Sequence, residues 1–224
     1  MSNILQELTV DALFDLSHTQ AAPLLTQATY PWEVLDELGG FIQSLGKTLG
    51  ADYHSPTPHV WVHKTAKVAP TAFLGENVII GPEAEIRHGA FIRGNALIGE
   101  GAVVGNSTEL KNVILFDKVQ VPHYNYVGDS VLGYKAHLGA GAITSNVKSD
   151  KTLVAVHDGE QDLPTGRKKL GAMVGDLVEV GCGSVLNPGT VIGRRTRVYP
   201  LSAVRGVLPP DSIYKKQGEV AAQI

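Results

Sequence analysis

The sequence is short of several things that would otherwise define it. Cysteine occurs once, at Cys182, so no internal disulfide can form. No apolar run reaches the roughly 18 residues that a membrane-spanning helix needs, and membrane association is therefore not expected. The opening Met1-Ser2-Asn3 supplies neither the basic region nor the uninterrupted apolar core of a signal peptide, so the expected compartment is cytoplasmic. No long basic run exists and the formal net charge is −3. Nucleic acid is not an expected partner, because phosphate backbones are bound by clustered lysine and arginine. No metal site is expected. Aromatic residues make up only 6%, too few for a core built on large rings.

What is present is a repeat. Hydrophobic residues form 43% of the chain, charged residues 18%, and glycines number 25, an ordinary globular balance that favours tight corners. From Val62 every sixth residue is apolar: Val62, Val68, Leu74, Ile80, Ile86, Ile92, Ile98, Val104, Leu110 and Phe116. Four residues after each of the first eight stands a small residue, in the series Ala66, Ala72, Val78, Ala84, Ala90, Ala96, Ala102 and Thr108. A period of six is neither helical nor a simple strand alternation. It fits a turn-and-strand unit that recurs on each side of a prism, with three units per coil and residues 18 apart stacked about 4.8 Å from one another as parallel strands. On that spacing Ile80, Ile98 and Phe116 form one stack. The pattern resumes at Leu132 and Leu138, breaks again, and returns from Val174 through Val180, Leu186, Ile192, Val198 and Val204.

The expected domain plan has three parts. Residues 1–55 read as helical, with Trp32, Leu35, Leu38, Ile42 and Leu45 on one face after Tyr30-Pro31, and are expected to cap the open end of the solenoid. Residues 56–208 form the β-helix, with an excursion at 147–173 that carries Asp158-Gly159-Glu160 and Arg167-Lys168-Lys169 and would supply a pocket wall or lid. Residues 209–224 are read as a short helix or frayed tail.

Four stretches break the monotony of the lattice. They are Arg87-His88-Gly89-Ala90; Val104-Gly105-Asn106-Ser107-Thr108-Glu109-Leu110-Lys111; His123-Tyr124-Asn125-Tyr126-Val127-Gly128-Asp129; and Gly139-Ala140-Gly141-Ala142-Ile143-Thr144-Ser145-Asn146. Their order and spacing resemble those of the hexapeptide-repeat acyltransferases, in particular the acetyltransferase half of the bacterial bifunctional N-acetylglucosamine-1-phosphate uridyltransferase/glucosamine-1-phosphate acetyltransferase family. The match covers residues 87 to 204. The resemblance implies an all-β fold, a left-handed parallel β-helix, assembled as a homotrimer. It also implies an acyl-CoA-dependent transferase that moves an acetyl group from acetyl-CoA to the amine of an amino sugar or sugar phosphate.

An amino-sugar ammonium must lose a proton before it attacks a thioester, and a histidine near neutrality is a suitable base. By the resemblance that base is His123. Tyr126, His137 and Asn146 take sugar-binding positions. Arg87 and Lys111 would bring positive charge to a sugar phosphate and converge near a corner. Ala140, Cys182 and Pro200 fall where the family holds the pantetheine arm of acetyl-CoA, and Arg194, Arg195 and Arg197 are candidates for the phosphates of coenzyme A.

The chain departs from the family in places. His137 replaces an asparagine, Asn146-Val147 replaces Asn-Tyr, and Pro200 replaces a small residue beside the acyl donor. Gly39-Gly40-Phe41 does not match the glycine-rich nucleotide loop of the uridyltransferase half. Two other readings therefore stand beside acyl transfer: a non-catalytic trimer that binds a sugar nucleotide, and a protein related to sugar-phosphate nucleotidyltransferases.

Overall fold

The computed structural model describes residues 4–158, 161–216 and 219–222. Met1-Ser2-Asn3 and Gly159-Glu160, named above, lie outside the described residues. Each coil of the chain lays down short strands that pair in parallel with those of the next coil. Val60–His63 pairs with Phe73–Ile80, which is followed in turn by Phe91–Ile98, Glu109–Leu115 and Tyr126–Leu132. Each long strand of this ladder bends round a corner, so the ladder covers two faces. Above Tyr126–Leu132 it divides. Ile143–Thr144, Val185–Leu186 and Ala203–Val204 continue the first face, while Ala172–Val174, Thr190–Ile192 and Val207–Leu208 continue the second. The third face runs from Lys67–Val68 through Val103–Asn106, Gln120–His123 and His137–Leu138 to Ser212–Lys216. The product is a parallel β-helix with a three-sided section.

Its interior is the repeat made solid. Ile80, Ile86, Ile92, Ile98, Val104 and Leu110 are buried, as are the small partners Ala84, Ala90, Ala96, Ala102 and Thr108. Large residues fill the middle of each face and small ones sit where two walls meet, the alternation that a close-packed solenoid interior needs.

The register is not constant, contrary to the sequence expectation. Phe91 and Ile92 face residues 18 further on, but a bulge after Ile92 leaves Gly94 facing Lys111 and Ile98 facing Leu115, a spacing of 17. The shorter coil persists from Glu109–Leu115 to Tyr126–Leu132. Ile80 and Ile98 therefore stack on Leu115, and Phe116 moves into the corner column that Gly81 and Gly99 occupy below it. A β-carbon at Gly99 would run into the backbone at Phe116 and Asp117. Phe116 is fully buried, and its ring packs on Phe14 at 5.0 Å between centroids.

That contact shows where the N-terminal segment goes. It lies along the flank of the prism, and its last residues, Tyr53–His54, pair antiparallel with Val60–His63 on the first rung of the ladder. Gly46 packs against Trp61 in the first coil, Gln43 Nε2 donates to Asn77 Oδ1 at 2.9 Å, His18 stacks on Tyr134 at 3.6 Å, and the Asp15 amide donates to Asp176 Oδ2 at 2.7 Å. The segment thus spans most of the coils as a strap. Its helices are short, and the expected single helix is interrupted: Pro31–Asp36 is a 3-10 turn and Leu38–Gly46 the α-helix. Trp32, Leu35, Leu38 and Ile42 are buried as expected, because pieces this short hold together only by burying an apolar face.

The excursion is an antiparallel hairpin, Val154–His157 with Asp162–Arg167. It leaves the corner between the first and second faces after Ile143–Thr144 and rejoins the lattice at Ala172–Val174. The closing segment is not a helix or loose tail. Ser212–Lys216 pairs in parallel with Arg197–Val198 and turns back antiparallel into Glu219–Ala222, so the lattice runs past residue 208.

Candidate functional site

The corner between the third and first faces carries a single column of residues, one per coil. Backbone amides climb it rung by rung: Ser107 N donates to His88 O, Tyr124 N to Asn106 O, Gly141 N to His123 O, Gly183 N to Ala140 O, and Leu201 N to Cys182 O. Asn106 and His123 are direct partners in the ladder. The column therefore reads His88, Asn106, His123, Ala140, Cys182, Pro200 from coil to coil. The candidate base and all three candidate donor-binding residues fall on this one edge.

His123 is exposed, and among the described residues nothing hydrogen-bonds to its imidazole. Its backbone is fixed by the next corner residue but one. Asn125 is buried, accepts from the His123 amide at 3.0 Å, and donates to the carbonyls of Gly139 and Ala142 at 2.9 Å each. The coil bearing the candidate base is thus tied to the coil bearing Ala140. Gly141 and Gly183, beside Ala140 and Cys182, both adopt positive φ, 70° and 68°, and leave the edge without bulk at those two rungs.

The opposite corner of the first face gathers Lys111, Tyr126, Asp129 and Asn146. Lys111 Nζ sits 3.0 and 3.2 Å from the two oxygens of Asp129. Asn146 Nδ2 donates to Asp129 at 2.6 Å and to the Tyr126 hydroxyl at 3.1 Å. Asn112 Nδ2 donates to Asp129 at 3.0 Å. The Asp129 carboxylate, 3% exposed, is the hub. Burial, with the charge of Asp129 adding to it, raises the Tyr126 pKa above its ordinary value, against the opposing hydrogen bond from Asn146. Tyr126 is accordingly a neutral hydroxyl across the physiological range.

Three expected placements change. Arg87 and Lys111 do not converge: the bulge and the corner between them put Arg87 at the end of the third face, paired with Glu85 at 3.1 Å, and Lys111 across the first face. The Arg87 guanidinium holds the Glu85 carboxyl below its usual range. His137 stands on the third face, 2.8 Å from Glu179, away from Tyr126 and Asn146. Arg194 and Arg195 lie at the corner beside the strap and pair with Asp176 and Asp211, away from the column that carries His123. Gly39-Gly40 lies within the helix Leu38–Gly46, so it is no phosphate loop.

Sequence reasoning did not single out Asp129, Asn112 or Asn125. Asp129 closes the His-x-x-Tyr-x-Gly-Asp motif, and that position was the available signal. Asn77, Asn95, Asn112 and Asp129 all adopt left-handed φ, 57°, 49°, 56° and 48°, and stack on successive coils at the turn between the first two faces. Short polar side chains tolerate that conformation best.

A family model described as the GMPPB C-terminal domain matches residues 78–161. An uncharacterized acetyltransferase, YaiX, from Escherichia coli O6:K15:H31 is 32% identical over 175 residues, covering 69% of this chain and 76% of that protein. The chain belongs to the hexapeptide-repeat acyltransferase family. Its prism is accordingly a left-handed parallel β-helix. The bifunctional protein GlmU of Methanococcus maripaludis is 29% identical over 191 residues, covering 84% of this chain and 46% of that protein. The chain spans less than half the length of the bifunctional relatives it matches. Among solved structures, a point mutant of AntD, an N-acyltransferase from Bacillus cereus in complex with dTDP and coenzyme A, is 17% identical with a TM-score of 0.42, covering 77% of this chain and 91% of that one.

Proposed function

We propose that this chain transfers an acetyl group from acetyl-CoA to the amine of an amino sugar or sugar phosphate, with His123 as general base. The observation that carries the reading is the single column in which His123 lies directly beneath Ala140, Cys182 and Pro200. A thioester laid along Ala140 and Cys182 would present its carbonyl carbon near the rung of His123. The amine attacks that carbon, the C–N bond forms, and the C–S bond breaks. His123 takes the amine proton and returns it to the departing thiolate of coenzyme A, so charge and protons balance. Tyr126 and Asn146 offer hydroxyl and amide groups on the adjoining face for orienting the sugar.

One protomer leaves the site unfinished. His137 is remote from Tyr126, and apolar residues stand exposed on the first face and its edge: Phe73, Phe91, Tyr124, Tyr199 and Leu201. Phe73 and Phe91 stack on each other at 5.4 Å. A homotrimer in which the edge of one prism meets a face of the next would cover these rings and bring a second wall to His123. The compartment consistent with this chemistry is the cytoplasm, where acetyl-CoA is held.

The test is release of free coenzyme A thiol when purified protein meets acetyl-CoA and a panel of amino-sugar phosphates, with sedimentation on the same sample. Acceptor-dependent release from a trimer supports the reading; absence of release across the panel sinks it. The unanchored His123 imidazole and the ring of Pro200 in the donor column favour one competitor, a trimer that binds a sugar nucleotide without chemistry. A melting temperature raised by coenzyme A argues against that competitor, since only a ligand that binds the native state stabilises it.

A further inference from the structure

His123 is followed at the same corner by a bulky residue that the fold of one protomer does not use. Tyr124 is 65% exposed, and among the described residues its hydroxyl makes no hydrogen bond and its ring stacks on no other ring. Its φ is 52°, a conformation that is costly for a bulky side chain and easy for glycine. The neighbouring rungs follow that preference. Gly89 and Ser107 take the same place on the two coils below, at 69° and 53°, and Gly141 and Gly183 on the two coils above, at 70° and 68°. The phenol ring therefore stands out from an edge that is low on both sides of it.

The space above the ring is open. A β-carbon added at Gly141 would meet nothing nearer than the Cα of Gly183, at 4.0 Å, apart from its own chain neighbours. One added at Gly183 would lie 2.8 Å from Leu201 Cδ2, so the Leu201 side chain leans over the upper end. Tyr124 and Leu201 thus bound a gap of two glycine rungs, each about 4.8 Å tall. Ala140 and Cys182 run along its side and His123 stands at its foot. A thioester whose carbonyl carbon lies at the His123 rung points the rest of its acyl group at the Tyr124 ring.

We propose that Tyr124 is the stop that limits the length of the acyl group, so that this chain uses short acyl thioesters of coenzyme A and rejects longer ones. The proposal rests on acyl transfer at the His123 edge. Chain length leaves the chemistry unaltered: the amine forms the C–N bond, the C–S bond breaks, and the amine proton passes through His123 to the thiolate. Only the room for carbons beyond the carbonyl differs. One methylene too many or too few in an apolar pocket is worth roughly 10- to 200-fold in discrimination. Below Tyr124 the edge is low again at Ser107 and Gly89, so loss of the ring opens a path for a longer chain.

The test follows thiol release from acetyl-CoA and from butyryl-CoA, with one amino-sugar acceptor, for wild type, Tyr124→Gly and Tyr124→Phe, each checked by sedimentation. The quantity read is the ratio of kcat/KM between the two donors, because a role confined to folding or assembly lowers both alike and leaves the ratio unmoved. Glycine suits the backbone at this position. Wild type should prefer acetyl-CoA by roughly a hundredfold, and Tyr124→Gly should narrow that preference by about tenfold or more. Tyr124→Phe should keep it, since the ring and not the hydroxyl is the stop. If Tyr124→Gly sediments differently from wild type, Tyr124→Leu, which keeps apolar cover for a neighbouring prism, is read in its place. Its preference should narrow by about fourfold, the worth of one buried methylene. A wild type that accepts butyryl-CoA as readily as acetyl-CoA, or a ratio that these smaller side chains leave unmoved, overturns the proposal while acyl transfer stands. Loss of the preference in Tyr124→Phe also overturns it. Absence of release from either donor overturns acyl transfer and the proposal together.

Discussion

Removing the Asp129 carboxylate tests the corner network most severely. In Asp129→Ala the Lys111 ammonium loses its counter-ion, and Asn112 and Asn146 each lose an acceptor. Breaking a buried pair from one side costs about 3–5 kcal/mol; Lys111 is 28% exposed, so water takes up part of its charge and the lower end applies. Each orphaned amide adds about 1 kcal/mol. Alanine at a φ of 48° adds about 1 kcal/mol more, since a β-carbon with no polar side chain gains nothing locally there. These terms overlap, and a total of about 4 kcal/mol is expected. Asp129→Asn keeps the shape, the backbone tolerance and one acceptor oxygen, and should cost about half as much. Urea denaturation followed by circular dichroism measures both. An alanine variant within about 1 kcal/mol of wild type, a value at the edge of what a surface substitution costs, or an asparagine variant as damaged as alanine, would refute the hub.

Other outcomes follow from the same geometry. At Gly105 an added β-carbon would collide with the carbonyl and backbone of Pro122, so Gly105→Ala should yield no folded protein, whereas Gly40, in the helix with open space around it, should gain about 0.5–1 kcal/mol as alanine. Thermal melts of the two variants make the comparison. Burial raises the Asp176 carboxyl above its usual range, against hydrogen bonds from the Asp15 and Tyr134 amides and the charge of Arg194. A folded pKa above the unfolded one means that the contribution of this group to stability is greatest below about pH 4 and falls as pH rises through the folded value. The stability advantage of wild type over Asp176→Asn should therefore shrink as pH rises from about 4; an advantage that grows with pH would contradict this.

The period of six was enough to read the prism, because every inward residue it marks is needed to fill a closed section. It could not reveal the bulge. Leu115 and Phe116 are both apolar, so a coil of 17 and a coil of 18 satisfy the hydrophobic pattern equally, and the strand pairing and the packing of Phe14 on Phe116 separate them. The same slip hid the corner network. On a strict spacing of 18 Asn95 would face Val113, and the alignment with Asn112 and Asp129 would be invisible. The strap was legible as apolar helix, but an apolar face says that something covers it and not which surface does. The family resemblance picks out His123, Ala140, Cys182 and Pro200 as base and donor groove, and the backbone ladder sets all four on one edge. The resemblance could not place His137 and Arg87, since facing the same site depends on which side of a corner a residue falls.

The acyl edge is tested most directly by steady-state kinetics of His123→Ala with acetyl-CoA and the best amino-sugar acceptor. A general base contributes about a hundredfold to ten-thousandfold, so kcat should fall by that factor while the KM for acetyl-CoA, whose binding the proposal assigns to Ala140, Cys182 and Pro200 on the rungs above, stays close to wild type. A variant that turns over at the wild-type rate, or one whose loss lies wholly in KM, would contradict the assignment of His123 as the base.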